Sequence, residues 1–320
     1  MKTTQHNLHH PLLAICLLLA TAANADPLAI RDQTPLTRAQ YLPAGAATTS
    51  DNAWQLDVQL AWSNTVNVGS TTQERLVVDQ ESTELTLPAS RRVGAWQLRA
   101  SVPVVQRSAG VLDGFIDGWH RAFGLPQGAR PTLPRNAYAL TYQRLGSAPV
   151  SVASGAALGD LQLEARRTLI ASSQTKLQAW AGVELPTGDR TKLMGNGAVD
   201  AAAWLTWQHT LAPRWTMDAR AGYSRSGGDG LLPLARNVGF GSATLSWRST
   251  QQLEALLQID AHSALLRGSD LPMLREAVQL TIGGRWHLQS GSVFEAGVVE
   301  DIQVNHSPDV SFQFGWRWAR

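Results

Sequence analysis

The chain has 320 residues, 44% hydrophobic and 16% charged, with a formal net charge of +2, 27 Gly, 12 Trp and a single Cys. This balance excludes a broad basic face for nucleic acid and an acidic disordered tail. A mean hydropathy of −0.14 excludes a bundle of membrane helices, but not a membrane barrel, which hides its apolar residues by alternation.

The first element is the apolar run at 11–22, PLLAICLLLATA, preceded by Lys2 and followed by Ala23-Asn24-Ala25. It is shorter than the roughly 20 residues a membrane helix needs and ends on an A-x-A pattern, which predicts a signal peptide over 1–25 cleaved after Ala25. Cys16 lies inside that run, so the exported chain is expected to use no disulfide and no Cys-ligated metal. Residues 26–53 then read as an N-terminal periplasmic segment, and 54–320 as the folded body.

From Trp54 onward the chain repeats about ten residues of apolar/polar alternation followed by a turn. Trp54-Leu56-Val58-Leu60-Trp62, Trp96-Leu98-Ala100-Val102-Val104 and Phe312-Phe314-Trp316-Trp318 each alternate with mostly polar neighbours. Period-two alternation marks strands with two different faces. About twelve such segments occur, near 54–64, 74–87, 95–106, 156–168, 175–186, 197–209, 214–225, 236–248, 252–263, 277–288, 292–302 and 309–318. They are longer than the five or six residues usual in soluble sheets. Links such as 211–213, 249–251 and 289–291 are short, whereas 107–155, 186–196, 226–235 and 264–276 are long, and the two kinds alternate. Trp54, Trp96, Trp207, Trp215, Trp247, Trp286 and Trp318 all fall at the short-link rim, as an interfacial aromatic girdle requires. The expectation is all-β: a transmembrane antiparallel up-and-down barrel of about 12 strands in the outer membrane of a Gram-negative bacterium. Its alternating aromatic C-terminus is similar to the signal read by the barrel assembly machinery, an expected partner during biogenesis.

Residues 107–155 break the rhythm. Phe115, Ile116, Trp119 and Phe123 form a helix-like apolar stripe, with Asp113 placed to cap its start and Gly124 its end. A short amphipathic helix is expected between strands three and four, either folded into the lumen as a lid or plug or lying on the rim at the lipid headgroups. The lumen reading is preferred. It makes Asp113, Asp117, Trp119, His120, Arg121 and Phe123 the ligand or gating candidates.

The stretch 79–138 resembles a Gram-negative family of outer-membrane barrels, the domain-of-unknown-function family 3187. The resemblance rests on His120, the Phe123-Gly124-Leu125-Pro126 turn, Arg130, Pro134-Arg135-Asn136 and Tyr138. Gly159-Asp160-Leu161 and Val183–Asp189 are similar to putative outer-membrane transporters of the phenol meta-cleavage pathway. Both likenesses imply an outer-membrane barrel, and neither implies a reaction or a cofactor.

Side-chain chemistry narrows the function further. His262 is adjacent to Ser263, so the two would face opposite sides of a strand and cannot pair as base and nucleophile. His120 lies three and seven residues from Asp117 and Asp113, a spacing suited to a hydrogen-bonded brace on one helix face. No metal-ligand spacing occurs, and no cofactor is expected. A barrel-embedded lipid hydrolase is therefore the weakest reading. With the Trp faces outward, Arg99, Glu164, Arg166, Asp218, Arg220, Glu254, Asp260 and Arg317 face the lumen, both signs interspersed. The leading expectation is a passive pore or transporter for small solutes, gated by 107–155 and not an enzyme. The alternative is a non-conducting barrel that binds lipopolysaccharide or another partner, with outer-membrane lipid around it in either case.

Overall fold

The computed structural model describes residues 26–45, 53–124, 126–303 and 305–318. The expected signal peptide lies outside the described residues.

Alternating sequence becomes alternating burial. Strands β1 (Gln55–Ser70) and β2 (Glu74–Thr86, continued by Ala89–Val93) are followed by β3 (Trp96–Ser101 and Pro103–Ser108) and β4 (Gly155–Leu158 and Leu161–Ala171). Then come β5 (Thr175–Leu185), β6 (Asp200–Ala212), β7 (Trp215–Arg225), β8 (Asn237–Arg248), β9 (Leu253–His262), β10 (Ala277–His287), β11 (Val293–Asp301) and β12 (Val310–Arg317). Each pairs antiparallel with its neighbour, and β12 returns to β1 with Trp62 opposite Phe312 and Asp57 opposite Arg317. Closure satisfies the ladder on every side, which hydrocarbon demands because it offers no hydrogen bonds. The result is a closed 12-stranded antiparallel barrel.

The breaks in β2, β3 and β4 share a cause. Pro88, Pro103 and Gly159 lie on neighbouring strands, and the Gly159 N–H donates to the Pro103 carbonyl at 2.8 Å. Proline removes a ladder donor, so the wall bends there. One link departs from the length pattern: β1 and β2 run on as a ribbon to the tight turn 71–73 at the long-loop end. The 1–2 connection is therefore short, because its residues went into longer strands.

Trp54, Trp96, Trp215, Trp247, Trp286 and Trp318 are exposed on the outer surface at the short-turn end. Trp215 stacks on its cross-strand neighbour Trp247 at 6.0 Å. At the opposite end the long loops fold over the mouth as a dome. Leu140, Tyr142, Leu193, Leu232, Leu234, Leu265, Leu271, Met273 and Leu274 form one buried apolar cluster there with Leu76 and Val78 of β2. Helix α1 (Asp113–Phe123) ends on Gly124 in the left-handed conformation, φ 68°, and follows β3.

Candidate functional site

Two polar assemblies hold the parts of the chain that are not barrel wall: one inside the lumen, one outside it.

The inner assembly differs from the reading of 26–53 as a periplasmic segment over 26–45; residues 46–52 lie outside the described residues. Residues 26–45 run up the lumen and back, so that Asp26, Pro27 and Gly45 all meet Lys176 and Gln178 near the short-turn end. The tip is the 3-10 helix Pro35–Ala39, every residue of it buried. Its Leu36 and Ala39 join the apolar cluster of the dome. A polar lumen selects a polar plug: this stretch has no strand or helix periodicity, and its main chain must find partners on the wall. Gln258 of β9 accepts from the Leu28 N–H at 2.9 Å and donates back to the Leu28 carbonyl at 3.2 Å. Arg220 donates to the Pro43 carbonyl at 2.7 Å while pairing with Asp260 at 3.3 Å. Gln40 donates to the carbonyls of Ala235 and Leu265, and Arg107 to that of Pro35. Arg38 of the plug pairs with Glu84 of β2. Within the plug, Arg31 closes the hairpin by donating to the carbonyls of Thr37 and Gln40 at 2.8 and 2.9 Å.

The charged lumen residues sort into two levels. Arg99 pairs with Glu164 at 2.9 Å, and Glu164 also accepts from the hydroxyl of plug residue Tyr41 at 3.1 Å. Tyr41 fits only because the wall opposite is Gly182, where a Cβ would collide with the phenol. Arg166 donates to Gln97 and to Gln178 and lies over the Trp180 ring. Trp180 stacks on Trp204 at 5.4 Å, and Trp204 meets Phe240 edge-on, so an aromatic rib crosses the inner wall beneath Tyr41 and Leu42. Nearer the short-turn end, Arg285 bridges Glu254 at 3.2 Å and Glu295 at 2.5 Å, and Arg317 reaches Asp57 and Glu295. Asp218 accepts from Gln208 at 2.9 Å. Buried charges in such wall pairs offset one another's desolvation. The cavities left beside the plug have room for a few water molecules.

His262, weighed above as a catalytic candidate, is a latch. Its Nε2 meets Asp32 of the plug at 2.9 Å and its Nδ1 meets the Ser263 carbonyl at 2.8 Å, while the Ser263 hydroxyl accepts from the Gly239 N–H.

The outer assembly corrects the lumen reading of helix α1, although Leu140, Tyr142 and Val152 of the same 107–155 segment join the dome over the mouth. Helix α1 packs on the outward-facing side chains of β1, β11 and β12, with Leu112 and Ile116 against Trp62, Val298, Val310 and Phe312. Of its apolar stripe only Ile116 is buried against this wall, while Phe115, Trp119 and Phe123 stay exposed. Asp113, Asp117 and His120 share its buried face, but the two carboxylates turn to Arg130 rather than to the imidazole. Arg130 also reaches Asn64 of β1 and Asp309 at 2.7 Å, so one guanidinium ties helix, wall and the 302–309 loop together. Arg135 pairs with Asp117 at 2.7 Å. Burial holds the Asp309 carboxyl above its ordinary range, against the opposing pull of the Arg130 cation. Asp113 lies in the first turn of the helix rather than at its cap, accepting from Asn64 and from the Asn136 N–H. The chain entering the helix is held instead by Glu81, which accepts from the N–H groups of Val111 and Leu112 at 2.9 and 2.8 Å. Trp119, Arg121 and Phe123 are exposed on the far side.

The plug was missed in the sequence. The signal available was the density of hydrogen-bonding side chains in Arg31–Gln40 beside an expected charged lumen.

A family model described as "Protein of unknown function (DUF3187)" matches residues 11–319, and the chain belongs to that family. Among solved structures, the chain is similar to the COG4313 outer membrane channel from Pseudomonas putida F1, with 11% identity over 88% of this chain and 97% of that one and a TM-score of 0.56. It is more distantly similar to the NanC porin, with 10% identity, 83% and 100% coverage and a TM-score of 0.49. The P. putida toluene transporter TodX matches at 14% identity, 90% and 93% coverage and a TM-score of 0.42. No curated protein matches the sequence. The first of these likenesses supports the fold of an outer-membrane barrel.

Proposed function

We propose that this family member is an outer-membrane channel for small solutes whose resting state is closed by its own residues 26–45. The observation that carries the reading is how the plug is held. Its main-chain groups bond to wall side chains at Gln258, Arg220 and Arg107, and its tip rests in the dome. Water can replace each of those hydrogen bonds, so each contributes a net of only about 0.5–1.5 kcal/mol, or up to about 3 where a charge takes part. A plug held this way can leave, and what it uncovers is a hydrated lumen of mixed charge, suited to neutral or zwitterionic small molecules rather than to ions of one sign. The gate is thus the N-terminal segment, not the 107–155 loop.

The test is solute efflux from liposomes. A variant lacking 27–44 should release small neutral solutes far faster than the full chain. The second reading, a non-conducting barrel, draws on the tip of the plug being part of the dome's apolar core. Equal, background efflux from both proteins, each folded by heat-modified gel mobility, would establish it instead.

A further inference from the structure

Helix α1 is amphipathic in the inverted sense. Its buried face carries Asp113, Asp117 and His120 alongside Ile116, and besides Arg121 its exposed residues include three aromatic rings, Phe115 at 55%, Trp119 at 41% and Phe123 at 63% exposure. A helix resting on a protein in water turns its apolar face inward and its charges out. The opposite orientation is stable only where the surroundings are themselves apolar.

The height of the helix on the wall agrees. Eight residues of strand separate Trp54, on the short-turn girdle, from Trp62, which packs beneath Ile116. At ~3.3 Å per residue and ~40° tilt this is about 20 Å of height, inside an apolar band of roughly 25 Å. The aromatic surface is also continuous with the lipid-facing belt. Phe115 lies 6.4 Å from Phe312 of β12, Phe312 lies 6.1 Å from Trp62 of β1, and Trp119 contacts Phe115 and Phe123. Above that row the outward side chains of β1 and β2 turn polar, at Asn64, Asp79 and Glu81, and α1 with Arg130 buries all three.

We infer that α1 is a lipid-facing helix seated in the outer leaflet, whose partner is the acyl-chain region of the surrounding lipid. It carries the apolar belt across a part of the wall that would otherwise present carboxylates to hydrocarbon, where an unpaired charge costs several kcal/mol. Phe115, Trp119 and Phe123 are the inserting groups. The inference is independent of whether the barrel conducts.

The test is site-directed spin labelling in a Cys16→Ser background, which leaves no other thiol. Single cysteines at 115, 119 and 123, with a control at exposed Leu231 in the dome, are labelled in the full chain reconstituted into phospholipid vesicles. Relaxation by lipid-soluble oxygen should exceed relaxation by a water-soluble nickel chelate severalfold at the three helix sites, with the reverse at 231. Each site is labelled singly, so the other two rings keep their places, and gel mobility reports that the barrel is folded. Nickel-dominated relaxation at 115, 119 and 123 would overturn the inference by placing the helix in water. Shielding from both reagents would also overturn it, by showing that protein covers this face.

Discussion

The plug and helix α1 are fastened by the same chemistry on opposite sides of one wall. Each is tied down by a buried arginine that reaches a carboxylate and a further partner, Arg220 for the plug and Arg130 for the helix. Their sequences differ in the way their sites require. The plug, which faces a charged lumen, has no periodic apolar stripe and uses its main chain as the ligand of wall side chains. The helix, which faces an aromatic wall, satisfies its main chain internally and spends its side chains on contacts. In a barrel of this kind an amphipathic segment belongs outside and an irregular polar one belongs inside.

That comparison breaks most sharply at the two arginines. Arg130→Ala leaves Asp113 and Asp309 buried without their cation, a loss of about 3–5 kcal/mol, while Asp117 keeps Arg135. It should free α1 from the wall, so limited proteolysis will cut within 109–136 while the folded barrel keeps its gel mobility. Cleavage unchanged from the parent would mean that the apolar contacts alone hold the helix. Arg220→Ala removes both the Pro43 contact and the partner of Asp260, at a cost near the lower end of the same range. Its effect should fall on the plug alone, read as frequent channel openings in a planar bilayer with α1 still protected from protease.

Smaller effects sharpen the same contrast. Gly182→Ala places a methyl where the Tyr41 phenol sits and should cost about 1–3 kcal/mol of plug docking. Efflux should rise without any change in proteolysis of 109–136. Tyr41→Phe loses one hydrogen bond to a carboxylate that Arg99 still neutralises. At about 1 kcal/mol it should raise the open fraction roughly fivefold, the smallest shift in the series.

The wall was almost wholly legible in the sequence because it obeys a local rule. Trp54-Leu56-Val58 or Leu253-Ala255-Leu257 declare their outward face whatever the neighbouring strand does, and the Trp at strand ends mark the rim. Where α1 starts and stops was legible too, through Gly124 and the stripe at 115, 116, 119 and 123. Its destination was not, since an apolar stripe states that a face is apolar without naming its neighbour. Asp113 leads the helix in sequence but sits in its first turn, and the segment entering the helix is held by Glu81, some thirty residues away. The plug was illegible for a related reason. Leu28, Arg31 and Tyr41 find Gln258, Gln40 and Glu164 across long separations or through an irregular turn, and no periodicity announces such contacts.

The central claim is that movement of residues 26–45 opens the lumen, and a reversible tether tests it most directly. Ile30 of the plug packs in one cluster with Leu256 of β9, so a disulfide-cleavable bifunctional thiol cross-linker between Ile30→Cys and Leu256→Cys can join them in a Cys16→Ser, Arg220→Ala background. Conductance across a planar bilayer should be absent while the pair is cross-linked, and openings should return on adding reductant. Equal conductance before and after reduction would contradict the account, because current would then be passing through a barrel whose plug had never left.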